Sequence, residues 1–316
     1  MTSSHHAHDD RMPPGRAVEV ADQVFAYIQP DGSWWINNTA FLVGGRGVIA
    51  VDSCSTERRT REYLAAIRTV TDRPIRALVN THHHGDHTNG NSLLAPAAVI
   101  GHEAMRQALI ETGLPNAAYG AVWGDVPWGD LELEPPFITF PDRLTLHVDE
   151  LTCEVVNAGA PAHTVSDSYI WIPDSGVLIS GDLLFNGATP FLLMGSVAGA
   201  IDVLENRIKP LGARTVVPGH GGVCGPEVVD DVLAYLRYVQ SVARQGKDGG
   251  LTPLEAAREF GLGDFADLLD SERLVGNLHR AYAELDGAAP GAAIDLFAAL
   301  GDMVAYNGGK PLRCLA

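Results

Sequence analysis

The sequence predicts an α/β sandwich in layers, with its polar residues gathered where strands end. Three observations lead there. Short apolar runs such as residues 48–51 and 177–179 lack polar alternation, as strands buried on both faces do. A helical-looking stretch follows over residues 56–69 in the first half, and a connecting stretch around 200–208 holds the same place in the second. The arrangement also occurs twice: a strand ending in an aspartate, Asp52 or Asp182, precedes a strand that leads into a histidine, His82 or His220. Both halves thereby aim Asp and His at one shared edge.

The remaining elements fall around this repeat. Residues 1–17 form a polar leader in which His5, His6 and His8 precede Pro13, Pro14 and Gly15, a composition suited to a tail that binds metal weakly if at all. The folded domain then runs over residues 18–316. Residues 40–43, 151–156 and 169–173 read as strands, and a Gly- and Pro-containing loop at 158–162 leads into His163. A helix is expected over 102–111, followed by a segment that carries Tyr119, Trp123, Trp128, Phe137 and Phe140 among prolines and glycines. From about residue 226 the chain turns helical. Pro226 and Glu227 open one helix, Thr252 and Pro253 form an N-cap and N1 pair, Asp270 and Ser271 open another, and residues 292–300 close the chain. No linker composition separates the parts, so a single domain with a helical C-terminal elaboration is expected.

Composition narrows the function. Of 316 residues 46% are hydrophobic and 19% charged, which excludes disorder as an overall description. With 22 Lys and Arg against 39 Asp and Glu, the formal charge of −17 repels phosphate backbones and anionic lipid, so neither nucleic acid nor a membrane is an expected partner. No apolar run reaches the roughly 18–20 residues that span a bilayer, and the leader lacks an export segment, so a cytoplasmic location is expected. Cys54, Cys153, Cys224 and Cys314 lie far apart without a CxxC pair and read as reduced, structural residues.

The chemistry concentrates in residues 82–87, where His82, His84, Asp86 and His87 share one short loop after a buried strand. Alternate residues of an extended segment point the same way, so His82 and His84 can share one cation while Asp86 and His87 turn to a second. His163 would complete the first set and His220 the second, with Asp182 bridging. A set rich in nitrogen and free of thiolate suits two Zn2+, although Fe or Mn fits the same donors. Asp86 and Asp182 are also the candidate catalytic carboxylates. Asp52 serves either as the hydrogen-bond partner that orients the loop or a ligand imidazole, or as a plain strand-end cap. Alternation turns His83 away from the metals. His102, His147 and His279 lack ligand spacing, although His279 sits on a helix that could reach the site.

This constellation resembles the metallo-β-lactamase fold family, whose motif is matched at His82, His84, Asp86, His87, His163, Asp182 and His220. The resemblance implies a four-layer αβ/βα sandwich with two metals at one edge of its sheets. Asp182 stands where certain true β-lactamases carry cysteine, which moves the site toward the dinuclear hydrolases of glyoxalase II and thioesterase type. A narrower resemblance, carried by the aromatic segment, the loop at residues 189–199 and the stretches 268–283 and 304–309, is to the cyclases of actinorhodin-type aromatic polyketide pathways. It implies a polyketide intermediate held as a thioester on an acyl carrier protein, closed in its second ring by aldol condensation and released by hydrolysis. The metals would polarise the thioester carbonyl, lower the pKa of a water toward about 7 and stabilise an enolate. Trp123, Trp128, Phe191 and Met194, with Tyr119 and Leu193 beside them, would line a pocket for a flat ligand, unless they are ordinary core. An acidic carrier would need a local basic patch on this acidic surface. Two other readings stand beside this one: a general metallohydrolase of small thioesters or lactones, and a non-catalytic metal-binding module.

Overall fold

The computed structural model describes residues 12–316, in which two sheets lie face to face with helices on their outer sides. The first sheet holds, in spatial and chain order, β1 (Arg16–Ala21), β2 (Val24–Ile28), β3 (Thr39–Gly44), β4 (Gly47–Val51), β5 (Ile75–Val79), β6 (Ala98–His102) and β7 (Ile138–Phe140). β1 to β4 pair antiparallel and β4 to β7 pair parallel. Helix α1 (Glu57–Val70) is the crossover from β4 to β5, the single turn α2 (Gly85–Thr88) follows β5, and α3 (Glu103–Thr112) and α4 (Ala117–Trp123) separate β6 from β7. The second sheet runs β8 (Arg143–Val148), β9 (Leu151–Asn157), β10 (Ser168–Ile172), β11 (Val177–Asn186) and β12 (Thr215–Gly221), with only its last pair parallel. Helix α5 (Val197–Val203) lies in that crossover. Then come α6 (Glu227–Asp248), α7 (Pro253–Phe260), α8 (Arg273–Leu285) and α9 (Leu296–Tyr306).

Burial on both faces explains the unbroken apolar strands. Successive strand residues point to opposite sides. Leu42, Val51 and Val79 therefore meet Val155, Ile170 and Val217 between the sheets, while their neighbours Phe41, Ala50 and Leu78 meet Tyr63 and Ile67 of α1. On the far side, Leu178, Leu184 and Val216 pack on α6 through Val228, Val232 and Leu236 and on α8 through Leu274 and Leu278. α6 buries residues at three- and four-residue steps, the periodicity of a helix with one apolar face. Thr252 and Glu255 complete a capping box at the start of α7. The four cysteines are free, with Cys54 and Cys153 buried. Among the described residues, no helix is long and apolar enough to cross a membrane.

The structure corrects the sequence reading in three places. β1 begins at Arg16, so the folded part claims the last two residues assigned to the leader; His5, His6 and His8 lie outside the described residues. β11 does not stop at Asp182 but continues to Asn186, across register shifts around Gly181, whose φ is +50°. β12 likewise runs through His220 to Gly221. Asp182 and His220 thus stand within strands, made irregular so that their side chains leave the pleat toward the site. β1, β7 and β8 lack a continuous apolar run because they are edge strands with exposed positions.

Ile170 is fully buried between the sheets. Ile170→Ala should lower unfolding free energy by about 2–5 kcal/mol, the range for emptying such a site, read from urea or guanidinium titration. A loss below about 1 kcal/mol would show that the sheets do not pack across this position.

Candidate metal centre

Asp52 is the first side chain to be fixed. It follows β4 with φ at +59°, which turns its carboxylate back under the end of β5. There Oδ1 accepts from the Thr81 amide (2.8 Å), while Oδ2 accepts from the Thr81 hydroxyl (2.7 Å) and from His87 Nδ1 (2.8 Å). The Thr81 hydroxyl also lies 3.0 Å from His82 Nδ1. One buried carboxylate therefore orients two imidazoles, which favours the partner role over the plain strand-end cap. The other rings are held at the nitrogen that faces away from the cluster. His163 Nδ1 donates to the Phe191 carbonyl and His220 Nδ1 to the Gly32 carbonyl (3.0 Å), while His84 Nε2 rests 3.4 Å from Met194 Sδ. Such partners fix tautomer and ring plane, and each ring keeps one nitrogen for a cation. Gly32 has φ at +71°, and a Cβ there would stand 2.4 Å from the Gly221 amide nitrogen.

The free atoms converge in two groups that share Asp182. His82, His84, His163 and Asp182 form one, and Asp86, His87, Asp182 and His220 the other; within each, the candidate ligand atoms lie within 4.8 Å of one another. His163 Nε2 is 2.8 Å from His84 Nδ1 and 3.3 Å from Asp182 Oδ2. His87 Nε2 is 3.0 Å from Asp182 Oδ1, and His220 Nε2 stands 3.3 Å from Asp86 and 3.4 Å from Asp182. His82 Nε2 is buried without a hydrogen-bond partner, and His87 Nε2 and Asp182 Oδ1, although 3.0 Å apart, are not aligned for a hydrogen bond and have no other partner. Leaving such atoms unsatisfied costs about 1–3 kcal/mol each, and a divalent cation in each group would satisfy them. The donor set therefore fits two metal ions. His83, buried beside them, belongs to neither group.

Electrostatics follows from burying five rings with two carboxylates. Burial, aided by neighbouring imidazoles, drives His82 and His84 well below the ordinary histidine value. Burial also opposes charge on His87 and His220, but carboxylates outweigh it: Asp182, Asp52 and Asp86 hold His87 well above its usual value, and Asp182 and Asp86 push His220 up to about 9. Asp182 is held well below the carboxylate range, against its burial, by His220, His87 and His163.

A cavity of about 710 Å3 opens on the cluster. His84, Asp86, His163, Asp182 and His220 line one end, Trp34, Trp35, Tyr119, Trp123 and Phe191 the walls, and Leu296, Leu300 and Val304 of α9 the far side. The walls are braced edge to face, with Trp34 4.9 Å from Phe191 and Trp35 5.1 Å from Trp123 between ring centroids. Trp123, Phe191, Met194, Tyr119 and Leu193 line the cavity as the sequence suggests. Trp128 does not: it packs behind Trp35 at 4.8 Å and supports the wall from outside. Nor does His279 reach the site, because Asp302 engages its Nε2 at 2.8 Å. His102 caps α3 and bonds Ser166 and the Pro141 carbonyl, and His147 is exposed on β8. Trp34, Trp35 and Arg273 are lining residues that the sequence reading omits. Adjacent tryptophans in a turn-rich segment just after Asp31 and Gly32 are the signal that could have marked the first two.

The fold and its ligand cluster agree with what comparison with known proteins finds. A family profile described as the metallo-beta-lactamase superfamily matches residues 32–220, more than half the chain and all seven cluster residues. The chain belongs to that superfamily. It is 25% identical to the linear primary-alkylsulfatase of a Pseudomonas species, over 68% of this chain and 48% of that protein. It is 28% identical to the hydroxyacylglutathione hydrolase of Rhodospirillum rubrum, over 50% of each. The chain thus spans about half the length of these curated relatives. A metallo-beta-lactamase from Pontibacter korlensis superposes with a TM-score of 0.59 at 17% identity, covering 71% of this chain and 99% of that one, a likeness of fold alone. Superfamily membership and the two ligand groups agree in pointing to a divalent-metal centre.

Two outcomes follow from this geometry. A Cβ at Gly219 would lie 1.9 Å from Asp182 Oδ1 and 2.8 Å from the Gly181 carbonyl carbon. Gly219→Ala should therefore displace the shared carboxylate and weaken both metals by roughly 10- to 100-fold, measured by chelator competition; unchanged affinity would contradict the placement of Asp182. A cation needs His220 and His87 neutral, whereas before metal binds the carboxylates around them favour the protonated ring of each. Metal uptake should release protons, and affinity should rise with pH toward about 9, by up to roughly tenfold per pH unit for each proton displaced. Calorimetry in buffers of different ionisation enthalpy checks this, and zero proton release at pH 7 would refute it.

Proposed function

We propose that this protein is a metal-dependent thioesterase with aldol cyclase activity, acting on an aromatic polyketide intermediate carried as a thioester on an acyl carrier protein. The observation that carries the reading is the aromatic-walled cavity of about 710 Å3 that opens directly on the ligand cluster. That volume falls within the roughly 300–1,000 Å3 of small-molecule sites, and its walls are indole and phenyl rings. A short acyl group would leave most of those rings uncovered, whereas a flat, fused-ring acyl group covers them. Two divalent cations, Zn2+ in this reading with Fe or Mn also compatible, would be held by the two groups around Asp182 and would supply the charge that polarises a carbonyl and acidifies a water.

The chain's own residues supply the rest. Trp34, Trp35 and Trp123 would sandwich the planar part of the substrate and exclude water from it. Asp86 and Asp182, the carboxylates that face the cavity, would hold the metals against the reacting end of the substrate. Asp52 would keep His87 in the tautomer with Nε2 free. In hydrolysis the C–S bond breaks, water supplies the new acyl oxygen, and the thiol departs on the carrier's arm. In cyclisation a carbon beside one carbonyl gives up a proton to a base drawn from the acidified water and attacks a second carbonyl; that carbonyl's oxygen takes up a proton, and the resulting hydroxyl leaves with a neighbouring hydrogen as water.

The likeness to a hydroxyacylglutathione hydrolase supports the coarser alternative, a hydrolase of small thioesters or lactones. A linear alkyl sulfate, the class named by the alkylsulfatase relative, is the other occupant an apolar cavity would admit. The deciding experiment compares three substrates on the metal-loaded protein: a bicyclic aromatic acyl thioester on a carrier protein, a hydroxyacyl glutathione thioester and a long-chain primary alkyl sulfate. The proposal expects kcat/KM at least about 100-fold higher for the first, with Trp123→Ala raising KM for it by tenfold or more. Preferential turnover of either other substrate would replace the proposal with that activity.

A further inference from the structure

Helix α8 lies outside the region matched by the superfamily profile and carries none of the seven cluster residues. It nevertheless buries Arg273, Asn277 and Arg280 almost completely, at spacings of four and three that place them on one face. All three bond to the backbone of one loop, the stretch after β11 that has no sheet or helix ladder of its own. Arg273 Nη1 donates to the Thr189 carbonyl (3.0 Å). Asn277 grips both sides of Phe191: its Nδ2 donates to the Pro190 carbonyl (2.7 Å) and its Oδ1 accepts from the Leu192 amide (2.8 Å). Arg280 donates from Nε (3.1 Å) and Nη2 (2.7 Å) to the Leu193 carbonyl.

That loop in turn touches two of the candidate ligands. The Phe191 carbonyl accepts from His163 Nδ1, and Met194 Sδ lies 3.4 Å from His84 Nε2. Both belong to the group formed by His82, His84, His163 and Asp182, whereas the partners of His87 and His220 are Asp52 and Gly32, on other elements. An irregular loop cannot hold a carbonyl in a fixed direction by itself, because its backbone groups need outside partners. Here α8 supplies those partners at residues 189, 190, 192 and 193, on both sides of the carbonyl that orients His163.

We propose that Arg273, Asn277 and Arg280 are positioning residues for one of the two metals: α8 clamps the loop at 189–193, and the loop sets the orientation of His163 and His84. Asn277 is the principal member, since its amide fixes the peptides on both sides of Phe191. The C-terminal elaboration is thereby part of the metal centre; Asn277 and Arg280 act on the loop alone, while Arg273 also lies over Phe185 (5.6 Å), which stacks on His220 of the second group. The inference rests on the two-metal reading of the cluster and not on the substrate proposed for it.

The test is competitive metal titration of the full chain with Zn2+, paired with the absorption spectrum of the Co2+-loaded protein. Wild type should bind two ions. In Asn277→Ala the ion held by His82, His84 and His163 should weaken by 10- to 100-fold, with an altered Co2+ spectrum, while the other stays within about threefold. Tyr235→Phe removes the hydroxyl that accepts a second hydrogen bond from Asn277 (2.9 Å) but leaves the loop clamp intact, and it should match wild type. Arg280→Lys, which cannot make the paired bond to Leu193, supplies a milder variant if Asn277→Ala does not fold, and should weaken the same ion selectively. Equal weakening of both ions, unchanged affinity in the clamp variants, or a Tyr235→Phe effect as large as theirs would overturn the inference. Wild type that binds fewer than two ions would instead sink the two-metal reading itself.

Discussion

Five imidazoles and two carboxylates crowded into one buried pocket are the constraint on which the rest of the structure depends. Such a set cannot be left to itself. Nitrogens 2.8 Å apart on His84 and His163 point at each other, and Asp182 faces four rings at once, those of His82, His87, His163 and His220. Opposite charges offset part of the cost, which is why Asp182 is held low and His87 and His220 high. His82 Nε2, His87 Nε2 and Asp182 Oδ1, which make no hydrogen bond, are atoms that two cations would use. A protein interior tolerates this only where the surrounding fold fixes every ring.

The two sheets provide that rigidity from both sides. Asp52 is anchored at the end of β4 and governs Thr81 and His87 from the first sheet. Asp182 and His220 come from the two parallel strands of the second. Asn38 joins them by donating to the carbonyls of Pro218 (2.9 Å) and Gly221 (2.6 Å), which ties the segment bearing Trp34 and Trp35 to the strand bearing His220. Cavity wall and metal ligand are thus moved together or not at all, a property suited to a site that must hold a large substrate in register with its metals.

What the sequence made legible follows physical lines. The ligand loop is readable because His82, His84, Asp86 and His87 are contiguous, and Asp182 and His220 are readable because a polar residue at the end of an apolar run needs a reason to be there. The repeated strand–helix–strand unit is readable because burial on both faces leaves its mark in the residues themselves. By contrast, the partnership of Asp52 with His87 depends on a positive φ that no local pattern specifies. Trp34 meets Glu272 across 238 residues, and Leu192 meets Asn277 across 85, so neither the cavity wall nor the α8 clamp has a local signature. The place of Trp128 behind the wall has no local signature either: aromatic character marks a residue for burial, not for which side of a wall it occupies.

Anomalous X-ray diffraction from crystals of the protein grown with Zn2+, recorded on both sides of the zinc edge, tests the central claim most directly. The account requires two peaks inside the cluster, one bounded by His82, His84 and His163, the other by Asp86, His87 and His220, with Asp182 between them. Crystals in which the cluster binds no zinc, or in which the side chains turn away from one another while zinc binds elsewhere, would contradict it.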